Sequence, residues 1–270
     1  MTSQTAGKYV LSSVDRDVLT LTLHRPDARN AMNLEMVQEV TAAIRAADAS
    51  ASLRALVLQG TAGHFCSGGD IKDFARARSS SGDPSGVIAV NAAFGHMCLA
   101  FARTTLPTIC ALEGAVLGGG FGLACASDLT LATRSARFGL PETSLGLVPA
   151  QIAPFLVERL GLAQAKRLAL SGMRIDAETA QRLGLIHELC DDAAALQAAL
   201  TTTVARVLSG APQATRVTKG LLLRARNGAT EAVIHDAAKA FAAALNGPEG
   251  GEGTAAFVQK RRPAWDPARN

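Results

Sequence analysis

The chain has 270 residues, 48% hydrophobic and 19% charged, and its 27 basic and 23 acidic side chains leave a net charge of +4. This composition supports one large core, or one domain with a helical appendage, and excludes disorder; 25 Gly and 10 Pro exclude a collagen-like chain. The charges are dispersed apart from Lys260-Arg261-Arg262, so no nucleic-acid partner is expected, and MTSQTAGKYV at the amino end lacks the apolar core of an export signal.

Residues 17–24 alternate Leu19, Leu21 and Leu23 with Thr20 and Thr22, the pattern of a half-buried strand that Arg25-Pro26-Asp27 ends. Asn33 then caps a predicted helix whose apolar stripe is Met36, Val37, Val40, Ile44 and Ala47. Residues 54–59 predict a buried strand that runs into a glycine loop ending CSGGD. Residues 79–86 (SSSGDPSG) read as a mobile surface loop, or as the border of a pocket. Residues 87–103 predict an apolar helix, and 108–113 a buried strand leading through Gly114 to Gly118-Gly119-Gly120. The stretch 104–127 is long enough to span a membrane, with Glu113 its one charge. Pro107 and five glycines predict instead a strand, a tight loop and a buried helix, so no membrane partner is expected.

A further strand is predicted over 128–133 and short helices around 151–170. From about 192 the sequence is alanine-rich and almost wholly helical, which divides the chain into a strand-and-helix core, 1–194, and a helical region, 195–270. The class is α/β or α+β. Cys66, Cys98, Cys110, Cys125 and Cys190 form no close pair and read as buried reduced thiols in a cytoplasmic protein.

No dinucleotide fingerprint surrounds the glycine triplet, where Leu123 takes the place of the last glycine; no Walker loop or nucleophile elbow occurs. The five histidines (His24, His64, His96, His187, His235) show no metal spacing, so no metal is expected. What remains is a pair of glycine loops after strands, at Ser67-Gly68-Gly69-Asp70 and Gly118-Gly119-Gly120. Their glycines serve either to aim two backbone amides at one oxygen or to let helix and strand pack closely. Glu142 lies in an apolar neighbourhood with no other Asp or Glu between Asp128 and Glu158. It reads as a proton-transfer carboxylate or as a capping or ion-paired Glu.

These pieces occur in a specific order: HRPDARNAMN, FCSGGDIKDF, PTICALEGAVLGGGFGLACASDLTLAT, ARFGLPETSLGLVP, GLAQAKRLALSGMRIDAETAQRLGLIHELC and FVQKRRP. In that order they resemble the enoyl-CoA hydratase/isomerase (crotonase) superfamily, with the nearest likeness to bacterial hydratases of the glutaconyl-CoA type. The resemblance implies a spiral of ββα turns with a carboxy-terminal helical region that builds a homo-trimer or hexamer. It also implies an acyl-CoA substrate whose coenzyme A is no separate cofactor.

By the same likeness the N–H groups of Gly69 and Gly119 form an oxyanion hole, Glu142 is the acid/base, and the Ala150 N–H orients a water. Ala28, Arg29, Ser67, Asp70, Ile71, Phe241, Phe257 and Lys260 lie along CoA, Lys260 reading equally as a solvated tail lysine. Gly122 replaces the first carboxylate of two-carboxylate hydratases. The space it leaves is expected to admit a water or the substrate's own distal carboxylate. Hydration of a 2-enoyl-CoA is the first expectation, a Δ3,Δ2 isomerase the second, and a catalytically weak acyl-CoA-binding relative the third.

Overall fold

The computed structural model describes residues 3–81, 84–226 and 228–269 and contains two compact units, 1–104 with 108–200, and 105–107 with 201–270. The first opens on three antiparallel strands, β1 (Ser3–Ala6), β2 (Val10–Asp15) and β3 (Val18–Leu23). On β3, Leu19, Leu21 and Leu23 are buried while Thr20 and Thr22 are partly exposed, as the alternation requires. Helix α1 (Leu34–Ala49) starts where Asn33 Oδ1 accepts from the Met36 N–H at 2.9 Å, and its buried face is the predicted stripe Met36, Val37, Val40, Ile44 and Ala47.

Three turns of a spiral follow, each taking one strand from a large sheet and then a small-sheet strand, or in the first turn a single bridge, before its helix. In the first, β4 (Ala55–Gly60) leads to Cys66, which bridges to the small sheet at Val116, and then to α2 (Ile71–Ser81) and α3 (Ser85–Arg103). In the second, β5 (Thr108–Leu112) and β6 (Ala115–Leu117) precede α4 (Gly119–Ala126). In the third, β7 (Leu129–Thr133) and β8 (Arg137–Gly139) precede α5 (Ala153–Ser171), broken at Gly161. The unit continues with β9 (Arg174–Asp176), α6 (Ala177–Arg182), β10 (Glu188–Cys190) and the start of α7 (Ala193–Ser209). The large sheet runs β1-β2-β3-β4-β5-β7-β10, parallel from β3 onward, and the small one β6-β8-β9. Being covered on both faces, β5 is buried throughout and reads as a continuous apolar run rather than an alternation.

The second unit holds the rest of α7 with α8 (Pro212–Ala225), α9 (Glu231–Asn246) and α10 (Pro248–Val258). Within it, the buried Lys219 donates from Nζ to the Leu106 carbonyl at 2.9 Å, tying α8 to the short 105–107 segment.

Several elements differ from expectation. The short strands β1, β6, β9 and β10 carry too few residues to show a period, and β2 (VLSSVD) has a burial pattern that does not alternate. The supposed loop 79–86 is largely helical: 79–81 end α2, Ser85 begins α3, and 82–83 lie outside the described residues. Helix α2 forms because Asp70 accepts the Lys72 N–H at its start, a tertiary placement that the polar composition of the segment hides.

Of the stretches considered for membrane spanning, 104–127 is buried in β5, β6 and α4. Helix α3 is the one described helix long and apolar enough to cross a membrane, and Met97, Cys98 and Phe101 on it face the core. All five cysteines are free and buried, and burial pushes the thiols of Cys66, Cys110 and Cys125 up to about 12. His64 and His187 accept backbone N–H groups, from Ala115 at 3.1 Å and Thr130 at 3.0 Å, and are structural.

Candidate active site

A cavity of about 590 Å³ opens between the two glycine loops, α2, α3 and the segment after β8. The first loop is held by strand-like pairing: the Met32 N–H donates to Gly68 O at 2.8 Å and the Asp70 N–H to Met32 O at 2.9 Å. That pairing brackets Gly69 and leaves its own N–H without an acceptor among the described residues. The second loop ends in α4, whose first residue is Gly119, and the first N–H groups of a helix have no intrahelical acceptor. Gly119 likewise donates to no group among the described residues.

The loops meet. A Cβ built on Gly68 would stand 3.8 Å from Gly119 N, and one on Gly118 would stand 3.7 Å from Gly68 Cα and 2.9 Å from Glu142 Oε1. Gly68 and Gly118 have φ of +107° and +50°, a region that favours glycine. Phe74 and Phe94 close over the loops: a Cβ at Gly69 would come within 2.9 Å of the Phe74 ring, and one at Gly119 within 2.8 Å of the Phe94 ring. Close packing is thus present at both glycines, and it coincides with two amides that have no acceptor among the described residues.

Glu142 is the first residue of a short 3-10 turn after β8, beside the meeting point of the loops. Its Oε2 is buried and has no hydrogen-bond partner among the described residues, where no ion pair of Glu142 occurs either. Burial raises its pKa above the ordinary carboxylate value, with a bond from its own backbone N–H pulling weakly the other way. The folded protein then holds a proton at pH values where the unfolded chain has released it, so Glu142 costs stability as pH rises through that window. Below the ordinary carboxylate range both states are protonated and the cost vanishes. Glu142→Gln is accordingly expected to melt above the wild type at pH 8, with the gap closing by pH 4 in thermal scans at constant ionic strength.

Of the residues placed by resemblance, the cavity gathers Ser67, Gly69, Asp70, Ile71, Gly119, Glu142 and Ala150. Ala28 and Arg29 adjoin it through Ser67, whose Oγ donates to Ala28 O at 2.9 Å and whose N–H donates to Arg29 O at 3.0 Å. The Asp70 carboxylate is committed to Arg25, at 2.9 Å, and to the start of α2. Phe241 and Phe257, exposed, and Lys260, with φ +54°, belong to the second unit and are not among the cavity's lining residues.

Two expectations are corrected. The Ala150 N–H donates to Val148 O at 2.8 Å in a tight turn and is not available to hold a water. The space at Gly122 is not open: a Cβ there would stand 2.7 Å from Ile152 Cβ and closer still to Cγ2. Ile152, 3% exposed, fills the place reserved for a water or a distal carboxylate. Among the described residues no group of three His, Cys, Asp or Glu is arranged to hold a metal ion.

Residues 14–268 match the profile of the family described as enoyl-CoA hydratase/isomerase. The chain belongs to that family. It is 33% identical over 260 residues to the probable enoyl-CoA hydratase echA8 of Mycobacterium tuberculosis, covering 95% of this chain and 97% of that protein. The 1,2-epoxyphenylacetyl-CoA isomerase of Escherichia coli is 33% identical over 191 residues, 68% of this chain and 71% of the isomerase. The crystal structure of an enoyl-CoA hydratase/isomerase from Marinobacter aquaeolei superposes with a TM-score of 0.93 at 48% identity, covering 96% of this chain and all of that one. The ββα spiral is thus the crotonase fold, and the carboxy-terminal helices are those of the family.

Residues that support the site without showing in the sequence are Asn30 and Arg25. Asn30 is fully buried at φ +58° and makes four side-chain hydrogen bonds. The available signal was its place in the turn after Arg25-Pro26-Asp27, where Asn tolerates the left-handed region.

Proposed function

We propose that the chain is an enoyl-CoA hydratase in which Glu142 is the single acid/base. The observation that carries this reading is the buried, unpartnered Glu142 Oε2 beside the junction of the two glycine loops. The thioester oxygen of a 2-enoyl-CoA accepts from the Gly69 and Gly119 N–H groups, which stabilise the enolate as charge moves onto that oxygen. Each such donor is worth on the order of 2.7–4 kcal/mol of barrier. Glu142 takes a proton from water as its oxygen bonds to C3, then returns a proton to C2 as the enolate collapses. Coenzyme A runs along Ala28, Arg29, Ser67 and Ile71, with Phe241, Phe257 and Lys260 at its nucleotide end, in a trimer or hexamer.

A second reading, a Δ3,Δ2-enoyl-CoA isomerase, is favoured by the Ile152 side chain seated at Gly122 and by the committed Ala150 N–H. There Glu142 removes a proton from C2 of a 3-enoyl-CoA and delivers one to C4, with no water consumed. Crotonyl-CoA, 3-methylglutaconyl-CoA and a 3-enoyl-CoA, followed by absorbance and mass spectrometry, separate the readings. Gain of one water by a 2-enoyl thioester is expected. Double-bond migration without water addition makes the isomerase correct, and binding without turnover overturns both.

A further inference from the structure

We infer that Ile152 is a specificity-determining residue that sets the ratio of water addition to double-bond migration at Glu142, by filling the space against Gly122, about one turn from the glycine that the carboxylate meets. The inference rests on the proposed acid/base role of Glu142. Gly118, the residue that precedes α4, accepts from the Gly122 N–H at 3.0 Å, which sets the two glycines about one helical turn apart. A Cβ on Gly118 would meet the Glu142 carboxylate and one on Gly122 would meet Ile152, and both of those side chains border the cavity.

The segment that carries Ile152 is also fixed from the other side. Gln151 donates from Nε2 to Asn91 Oδ1 on α3 at 2.8 Å, and its amide sits on Gly95, where a Cβ would come within 2.8 Å of Gln151 Cδ. Gln151 and Ile152 thus form a wedge with one residue seated on a glycine of α3 and the next on a glycine of α4. A buried, β-branched side chain held in this way has little rotamer freedom and offers neither donor nor acceptor. At Gly122 it therefore offers no group that could help Glu142 orient a water. Proton transfer from C2 to C4 needs no such partner, whereas bonding a water oxygen to C3 does.

The test compares initial rates for hydration of 2-hexenoyl-CoA and isomerisation of 3-hexenoyl-CoA. Ile152→Ala is expected to raise the hydration-to-isomerisation ratio about fivefold or more, and Ile152→Val to stay within about twofold of wild type. Gly122→Glu alone is expected to lose both activities through its clash with Ile152, and Gly122→Glu/Ile152→Ala to exceed the wild-type ratio by about tenfold or more. A ratio within about twofold of wild type in both Ile152→Ala and the double variant overturns the inference. If the wild type turns over neither thioester, the proposed function fails. The Ile152–Gly122 fit is then judged by melting: Gly122→Ala should lower Tm in the wild-type background but not in the Ile152→Ala background. Equal lowering in both overturns it.

Discussion

Glu142→Gln is expected to lower kcat by roughly 100- to 10,000-fold with KM changed by no more than about threefold, because the variant keeps the shape of the site and loses the proton acceptor. The Gly69 and Gly119 amides are untouched, so thioester binding persists. The effect is large because Glu142 has no understudy. Asp70 is committed to Arg25, and Asp73, which also borders the cavity, is committed to Arg76 and to the Leu34 N–H. Because burial holds its carboxyl above the ordinary range, the rising limb of the kcat profile, which reports ionised Glu142, is expected at higher pH than for a solvated Glu. Steady-state kinetics between pH 4 and 9 measure both. A loss smaller than about tenfold, roughly 1.4 kcal/mol, removes Glu142 from the chemistry.

Asn30→Ala is expected to cost about 3–5 kcal/mol of unfolding free energy, a sizeable share of the roughly 5–15 kcal/mol available to a folded domain. Asn30 Oδ1 accepts from the Arg25 N–H at 2.9 Å and from Thr61 Oγ1 at 3.2 Å, and Nδ2 donates to the carbonyls of Thr61 and His64 at 3.0 and 2.7 Å. Alanine leaves those backbone groups without their partner and must itself hold a positive φ. The damage reaches the site because Asn30 lies in the turn that carries Met32, whose backbone pairs on both sides of Gly69. Urea denaturation gives the number, and a cost below about 1 kcal/mol would show that the turn holds its shape without the amide. Asn30→Gly, which tolerates the left-handed backbone, separates the hydrogen bonds from the conformational part.

Much of this protein was legible in one dimension because the physics involved is local. The alternation on β3, the Asn33 cap and the five-residue stripe of α1 each depend on neighbours within a few positions, and all three appear where the periodicity puts them. Helix α2 was not legible, since its start depends on Asp70, which Met32 and Arg25 hold in place from some forty residues away. The small sheet was hidden for a related reason. Three-residue strands such as β6, β8 and β9 exist through their partners and leave no repeating pattern of their own.

The site divides in the same way. Order and identity of residues along the chain determined the family, the two glycine loops and Glu142 as the carboxylate to watch, because those features are carried by which side chain, or lack of one, stands at each position. Only the folded chain decided what surrounds them: that Oε2 of Glu142 is buried without a partner, that the Ala150 N–H is spent on Val148, and that Ile152 fills the space beside Gly122. A missing Cβ is written in the sequence. Whether water, a ligand or a neighbouring side chain occupies the gap depends on packing between segments distant along the chain.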